Sequence, residues 1–248
     1  MIGCDCATCA SSDPRDRRLR PSIYIETART SLLVDAGPDL RAQALTHGIR
    51  RVDAIFFTHG HADHILGLDD VRRFNVLQGR AMPCFGDART IDDVRQTFAY
   101  AFNPRTQAGG GLPRMHLFEI GGSFCLGDLE MVPVPILHGR RPILGLRAGR
   151  FAYLTDCSAI PEESYPLLEG IEVLVIDALR DRPHPTHFTL AEAIEAARRI
   201  GARRTWFTHM CHDLPHEATS ARLPDDMALA YDGLVLECGG EALSQPEP

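Results

Sequence analysis

The chain has 248 residues, 44% of them hydrophobic and 24% charged, which is ordinary for a globular protein and long enough for a substantial core. A net charge of −7 excludes a global field that would draw it to nucleic acid or an anionic membrane, and no apolar run approaches the roughly 20 residues needed to span a bilayer. Eight cysteines without a secretory signal argue for a reducing compartment, the cytoplasm, with thiols as ligands or buried apolar groups.

Near the start, Cys4, Cys6 and Cys9 form half of a zinc site that needs a fourth ligand from elsewhere. The basic segment 15–20, interrupted by Asp16, reads as solvated surface. Residues 22–26 and 31–35 read as two paired strands. Ala36-Gly37-Pro38 breaks the second, and Pro38 can open a helix carrying Leu40, Ala44 and Leu45. The next strand is 52–57, followed by a helix from Ile65 toward Val76, a short strand at 82–86 and a helix over 90–100 capped by Thr90. The stretch 103–113, with Gly109-Gly110-Gly111, is a loop, inert or a mobile wall of the site. Strands recur at 115–120, 123–125, 129–134, 144–146 and 151–155, and 171–176 has the continuous apolar character of a strand buried on both faces. Thr189-Leu190-Ala191-Glu192 is a capping box for a helix with Ile194, Ala197 and Ile200 on one stripe, ended by Gly201. A strand at 204–208 follows, 234–238 is the last, and a polar tail begins after about 242. With no repeat and no linker, the chain reads as one domain, 1–248.

The densest chemistry is Thr58-His59-Gly60-His61-Ala62-Asp63-His64, directly behind the apolar run 54–57. Histidine and aspartate are poor core residues, so such a cluster at the end of a buried strand needs a ligand. Imidazoles with a carboxylate match zinc and similar divalent metals. The same residue types recur at strand ends: His138 after 134–137, Asp156 after 151–155 and His209 after 205–208, with Asp35 and Asp177 closing two more apolar strands. Loops at strand ends hold side chains that a core cannot, and this set reads as a two-metal site with a bridging carboxylate and a shared water.

His59-x-His61-x-Asp63-His64, followed by His138, Asp156 and His209, resembles the metallo-β-lactamase superfamily over nearly the whole chain. The resemblance implies an α+β fold, a four-layer αββα sandwich with a dinuclear metal centre on one edge. His59, His61 and His138 would hold the first metal, Asp63, His64 and His209 the second, and Asp156 would bridge them. Asp rather than Cys at 156 is similar to phosphodiesterases and related hydrolases, not to true β-lactamases. A closer likeness is to the phosphoribosyl 1,2-cyclic phosphate phosphodiesterase family of carbon–phosphorus lyase systems. It rests on Cys4-x-Cys6-x-x-Cys9, on His212 three residues after His209, and on His184-Pro185-Thr186-His187. It implies a structural zinc on Cys4, Cys6, Cys9 and His212, with Cys211 a weaker competitor, and a catalytic role for His187. That residue precedes the helix N-cap at Thr189, where backbone amides and the helix dipole favour an anionic phosphate. His184 is a surface-turn residue or a substrate contact. Members of that family usually carry a strand before the cysteines; this chain starts just before Cys4, so that strand is absent or lies upstream.

The function implied is hydrolysis of a small phosphodiester, cyclic or linear, by two divalent ions (Zn, Mn or Fe) that hold a bridging hydroxide for in-line attack on phosphorus. Asp63 and His187 are the candidate catalytic side chains, His187 stabilising a phosphoryl oxygen or protonating the leaving alkoxide. All 26 basic residues are arginine, so a phosphate contact is a guanidinium; Arg140 and Arg141 after His138 either serve so or stay solvated. Asp35 and Asp177 would orient ligand imidazoles or cap loops. The expected partner is the substrate, with no membrane; nucleic acid is disfavoured and a homodimer stays open. Other readings also stay open: a tRNA 3′-processing-type endonuclease, although no basic arm is visible, a pyrroloquinoline-quinone-accessory-like protein, or a non-catalytic metal-binding protein.

Overall fold

Alternate residues of a strand face opposite sides of its sheet, so a strand apolar at every position must be covered on both faces. The computed structural model, which describes residues 1–106 and 111–238, satisfies this with two sheets stacked between helices. The first sheet runs β1 (Ile23–Glu26), β2 (Ser31–Val34), β3 (Ala54–Phe56), β4 (Met82–Gly86), β5 (Met115–Glu119) in spatial order. Its first pair is antiparallel and the others are parallel. The second sheet lays β6 (Phe124–Leu126), β7 (Leu129–His138), β8 (Arg141–Ala148), β9 (Phe151–Leu154), β10 (Val173–Asp177), β11 (Arg204–Thr208) and β12 (Met227–Leu229) side by side. Strands β6 to β9 pair antiparallel and β9 to β12 parallel.

Burial follows the alternation. Leu32, Val34, Ala54 and Phe56 point inward to meet Met131, Leu146, Tyr153 and Val175 between the sheets. Their neighbours Leu33 and Ile55 face outward, into the layer formed with α1 (Leu40–Thr46), α2 (Ala62–Ile65), α3 (Val71–Gln78), α4 (Ala88–Thr97) and α5 (Ala99–Phe102). On the far side, Ala152, Leu154, Leu174 and Ile176 pack under α6 (Leu190–Ile200), and α7 (His216–Ser220) lies against β12. This is the four-layer αββα sandwich, an α+β fold. Among the described residues, no helix is long and apolar enough to cross a membrane.

Several local expectations need correction. The helix expected from Ile65 toward Val76 is broken into α2, a 3-10 turn over Leu68–Asp70 and α3. Gly67 lies at the break, so close to the chain at Gly37 that a Cβ there would meet its carbonyl oxygen. Asp87, not Thr90, caps α4, accepting a 2.7 Å bond from the Thr90 amide. Leu45 is 70% exposed, leaving Leu40 to anchor α1. Pro135 does not end β7, which runs four residues past the expected boundary at 134, to His138. The segment 234–238 forms no strand; the sheet ends instead on Met227–Leu229, which runs parallel to β11. The capping box of α6 is present, and Gly201 closes the helix in the left-handed conformation. Residues 107–110 of the expected loop and the tail after 242 lie outside the described residues.

Candidate metal centre

The parallel strands of both sheets carry their last residues to one edge of the sandwich. Asp35, Asp156 and His209 sit at the ends of β2, β9 and β11, and all three are left-handed, with φ of 62°, 54° and 58°. They are the only non-glycine residues so bent among those described. Asp and His tolerate this region better than most, yet each such turn costs of order 1–3 kcal/mol. Three strained turns converging on one point mark a site the rest of the fold is built to sustain.

Two groups of ligand-type atoms meet there, each with members within 4.8 Å of one another: His59, His61 and His138, and beside them Asp63, His64, Asp156 and His209. Asp156 connects them. Its Oδ1 lies 3.2 Å from His64 Nε2 and 3.3 Å from His209 Nε2, while Oδ2 lies 3.8 Å from His59 Nε2. Asp63 Oδ2 is 3.7 Å from both His64 Nε2 and His209 Nε2. Thus all seven ligands expected from the sequence are brought together.

Hydrogen bonds behind the rings decide which nitrogen faces inward. His64 Nδ1 donates to Asp35 Oδ2 at 2.7 Å, and Asp35 also accepts from the Thr58 amide and hydroxyl at 2.9 and 2.8 Å. The Thr58 hydroxyl in turn accepts from His59 Nδ1 at 3.1 Å. His138 Nδ1 donates to the carbonyls of Asp156 and Thr186, at 3.0 and 2.9 Å. The inward Nε2 atoms of His59, His64 and His209 are buried with no hydrogen-bond partner. Buried polar atoms without partners are costly, so three aimed at one carboxylate fit a cation held between them. Donors of this kind, imidazole with carboxylate, suit Zn, Mn or Fe.

Electrostatics agree. Burial and then the charge of His64 lower the His59 pKa to about 2, keeping it neutral and able to ligate. Burial would do the same to His209, but the charge of Asp156 outweighs it and raises that pKa to about 9. Burial likewise opposes ionisation of Asp156, yet the charges of His209 and His64 hold its pKa well below the usual carboxylate range. Positive charge is stabilised where the second group meets the shared carboxylate.

His187 borders this edge, its ring 4.8 Å from that of His138 and 4.7 Å from that of His209. Its Nδ1 donates to Asp177 Oδ1 at 3.1 Å, and Asp177 Oδ2 accepts from the Phe188 amide at 3.0 Å. Asp35 and Asp177 therefore orient imidazoles, as expected. Burial and the charge of His209 lower the His187 pKa to about 4. The His184 ring lies 5.1 Å from that of His187, tilted against it, and its Nδ1 accepts from the Thr186 amide, so it is both a turn residue and a neighbour of the site.

The arginines divide. Arg140 is exposed and makes no hydrogen bond or ion pair among the described residues. Arg141 Nη2 instead donates to Asp93 Oδ2 at 2.9 Å. Sequence reasoning assigned no role to Thr58, Thr155, Thr186 or Asp93. The first two adjoin the candidate ligands His59 and Asp156, and Thr155 donates to Asp156 Oδ1 at 2.8 Å; Asp93 and the Thr186 carbonyl left no signal.

A second group joins the N-terminal segment to the loop after β11. Cys4, Cys6, Cys9 and His212 offer atoms within 4.8 Å of one another, and His212 Nδ1 is 3.4 and 3.3 Å from the sulfurs of Cys4 and Cys6. Four ligands around one zinc sit roughly 3.5 Å apart. Cys211 is outside this group, its sulfur accepting from the Asp213 amide. The segment 15–20 is not uniformly solvated: Arg18 is mostly buried and donates to the carbonyls of Cys211 and Leu214 at 3.1 and 2.7 Å, fastening the N-terminal segment to the His212 loop.

Comparison with known proteins places this geometry in context. Residues 30–210 match the family described as "Beta-lactamase superfamily domain". A solved structure of a diphosphatase from the PhnP family is similar at a TM-score of 0.88 with 44% identity, covering 94% of this chain and 89% of that one. An octanoyltransferase of Porphyromonas gingivalis is 37% identical over the full length of this chain, which spans 51% of that relative. A ribonuclease Z of Methanopyrus kandleri is 25% identical, covering 90% of this chain and 93% of the relative.

Proposed function

The chain belongs to the beta-lactamase superfamily as a metallo-β-lactamase-fold hydrolase, and from that premise we propose that it is a binuclear metal-dependent phosphodiesterase acting on a small phosphodiester. The observation that carries this reading is Asp156, one carboxylate whose two oxygens reach toward both nitrogen groups. Similarity to a diphosphatase and to a ribonuclease supports phosphorus–oxygen cleavage as the chemistry.

His59, His61 and His138 would hold one ion, Asp63, His64 and His209 the other, and Asp156 both; Cys4, Cys6, Cys9 and His212 would hold a structural zinc. Bound in the first site, divalent ions supply Lewis-acid charge against the phosphoryl oxygens and make water acidic enough to serve as nucleophile. The chain's own part is placement and proton transfer. Asp35, through Thr58 and His64, engages Nδ1 of His59 and His64, so that Nε2 is the ring atom each would turn toward an ion. Asp177 occupies His187 Nδ1, so Nε2 is the ring atom left to protonate a leaving alkoxide. An arriving phosphate, being anionic, raises the depressed pKa of His187 and helps it take up that proton.

Protein loaded with Zn or Mn should hydrolyse bis(p-nitrophenyl) phosphate and, more selectively, one member of a panel of cyclic and linear phosphodiesters. No turnover with any of them would sink the reading. Salt-sensitive tRNA binding with 3′ cleavage would move it to an endonuclease.

A further inference from the structure

Cys6 and Cys9 stand three residues apart on one tight turn. The Ala10 amide donates to the Cys6 carbonyl at 2.9 Å, and the Cys9 amide donates to the Cys6 sulfur at 3.4 Å, which folds that sulfur back over the turn. Thr8 between them is buried and anchors the turn, whereas Asp5, Ala7 and Ala10 are exposed and Cys4, Cys6 and Cys9 are half-buried. The cover over these thiols is thin. Cys84 and Cys157 differ, being fully buried, out of reach of a dissolved oxidant.

The three sulfurs face His212, and His212 follows His209 by three residues. His209 has a left-handed backbone, φ 58°, which persists only while its surroundings sustain it. Beyond that turn the chain is held at three places. The Cys211 amide donates to the Leu179 carbonyl at 2.9 Å, Arg18 donates to the carbonyls of Cys211 and Leu214, and His212 sits among the cysteines. Two of these three holds come from the N-terminal segment.

We propose that Cys6 and Cys9 are a reversible oxidation site for hydroperoxides, whose disulfide takes both sulfurs from His212 and so loosens the turn that presents His209. One thiolate attacks a peroxide oxygen and the O–O bond breaks, leaving a sulfenic acid and a hydroxide that takes up a proton to become water. The second thiolate attacks the oxidised sulfur, the S–O bond breaks, and the departing hydroxide is protonated to a second water. Two electrons pass from the sulfurs to the peroxide, and a dithiol returns them by exchange. A zinc ion bound there would keep only Cys4 and His212, too few to hold it. The Arg18 and Leu179 contacts remain, so the loop loosens without unfolding. This goes beyond the phosphodiesterase reading and rests on the zinc reading only for the ion released.

The experiment treats the zinc-loaded protein, freed of excess ion, with one equivalent of hydrogen peroxide. Mass spectrometry maps the disulfides and elemental analysis counts the zinc retained. Cys6 and Cys9 should be linked, one zinc ion lost, and Cys84 and Cys157 still free thiols. The Cys211 amide should exchange its hydrogen about tenfold faster and bis(p-nitrophenyl) phosphate turnover should fall about tenfold. Dithiothreitol with added zinc should reverse all of these changes. Cys6→His keeps a ligand but removes the pair, and should retain its zinc through the same treatment; should it not fold, the disulfide map and amide exchange of the parent decide. No Cys6–Cys9 link, oxidation spread to the buried thiols, or a disulfide that leaves Cys211 exchange unchanged overturns the proposal. A disulfide in protein that held no zinc at this group removes the zinc reading and leaves the oxidation site, and bound zinc with no disulfide does the reverse. Absence of turnover before peroxide removes the phosphodiesterase reading, while the map and the exchange still test the oxidation site.

Discussion

Asp35 and His64, both fully buried, meet through a 2.7 Å bond from His64 Nδ1 to Asp35 Oδ2. The same carboxylate accepts two further bonds from Thr58, so three donors converge on two oxygens. An asparagine offers one oxygen and points an N–H₂ at a donor. Asp35→Asn should therefore cost about 1–3 kcal/mol of stability from the unpaired group and about 10–100-fold in active-site metal affinity. Denaturant unfolding of the chelated protein and competition against a chromophoric chelator measure the two effects. Unchanged metal affinity would show that the ring needs no such anchor.

His187→Ala should lower kcat by about 10²–10⁴-fold, the range for a lost general acid, while metal content by elemental analysis stays at the parent value. Because His187 also shares ligand-range groups with His138 and Asp156, and with Asp177 and His209, loss of metal would instead make it a ligand.

Gly37→Ala tests how closely the β2 turn is pressed on the ligand loop. A Cβ at 37 would lie 2.2 Å from the Asp63 carbonyl oxygen, a backbone atom that cannot swing away. The expected result is about 1–3 kcal/mol of destabilisation by overpacking, together with loss of the ion held by Asp63 and His64. Full metal occupancy in this variant would contradict the tight approach.

Cys9→Ala should leave one bound metal ion fewer than the parent and a lower melting temperature, because a structural zinc contributes directly to folding. Activity should fall with it, since Arg18 and His212 tie the same loop that begins at His209. Equal metal content in parent and variant rejects the fourfold site.

Acid stability offers a fifth check. Burial, then the charges of Arg15 and Arg18, hold the His216 pKa below its ordinary 6.5. Below 6.5 the unfolded chain takes up a proton that the folded chain refuses, so this contribution to stability is complete above that value and lost as pH falls through it. The melting temperature of the parent should drop further between about pH 7.5 and about pH 5.5 than that of His216→Gln. Parallel slopes would exonerate His216.

The candidate ligands were legible because imidazole and carboxylate are conspicuous at the ends of apolar strands, as with His138, Asp156 and His209. The capping box at Thr189 was legible for a similar reason, being a short local code. What escaped was non-local. Gly67 breaks a helix because of Gly37, thirty residues earlier. The left-handed turns at Asp35, Asp156 and His209 are imposed by the sandwich edge, not by neighbouring residues. Arg140 and Arg141 are chemically equal in the sequence, and only the position of α4 gives Arg141 its carboxylate.

The contact between Cys4 and His212 spans 208 residues, and that between Cys6 and His212 spans 206. At ribosomal rates of about 5–20 residues per second, the three thiols emerge roughly 10–40 seconds before their imidazole exists. Throughout that interval they are open to oxidants, stray metals and neighbouring nascent chains. A chain truncated before residue 212 never closes the cluster at all, which leaves its N-terminus as a chemical record of unfinished synthesis.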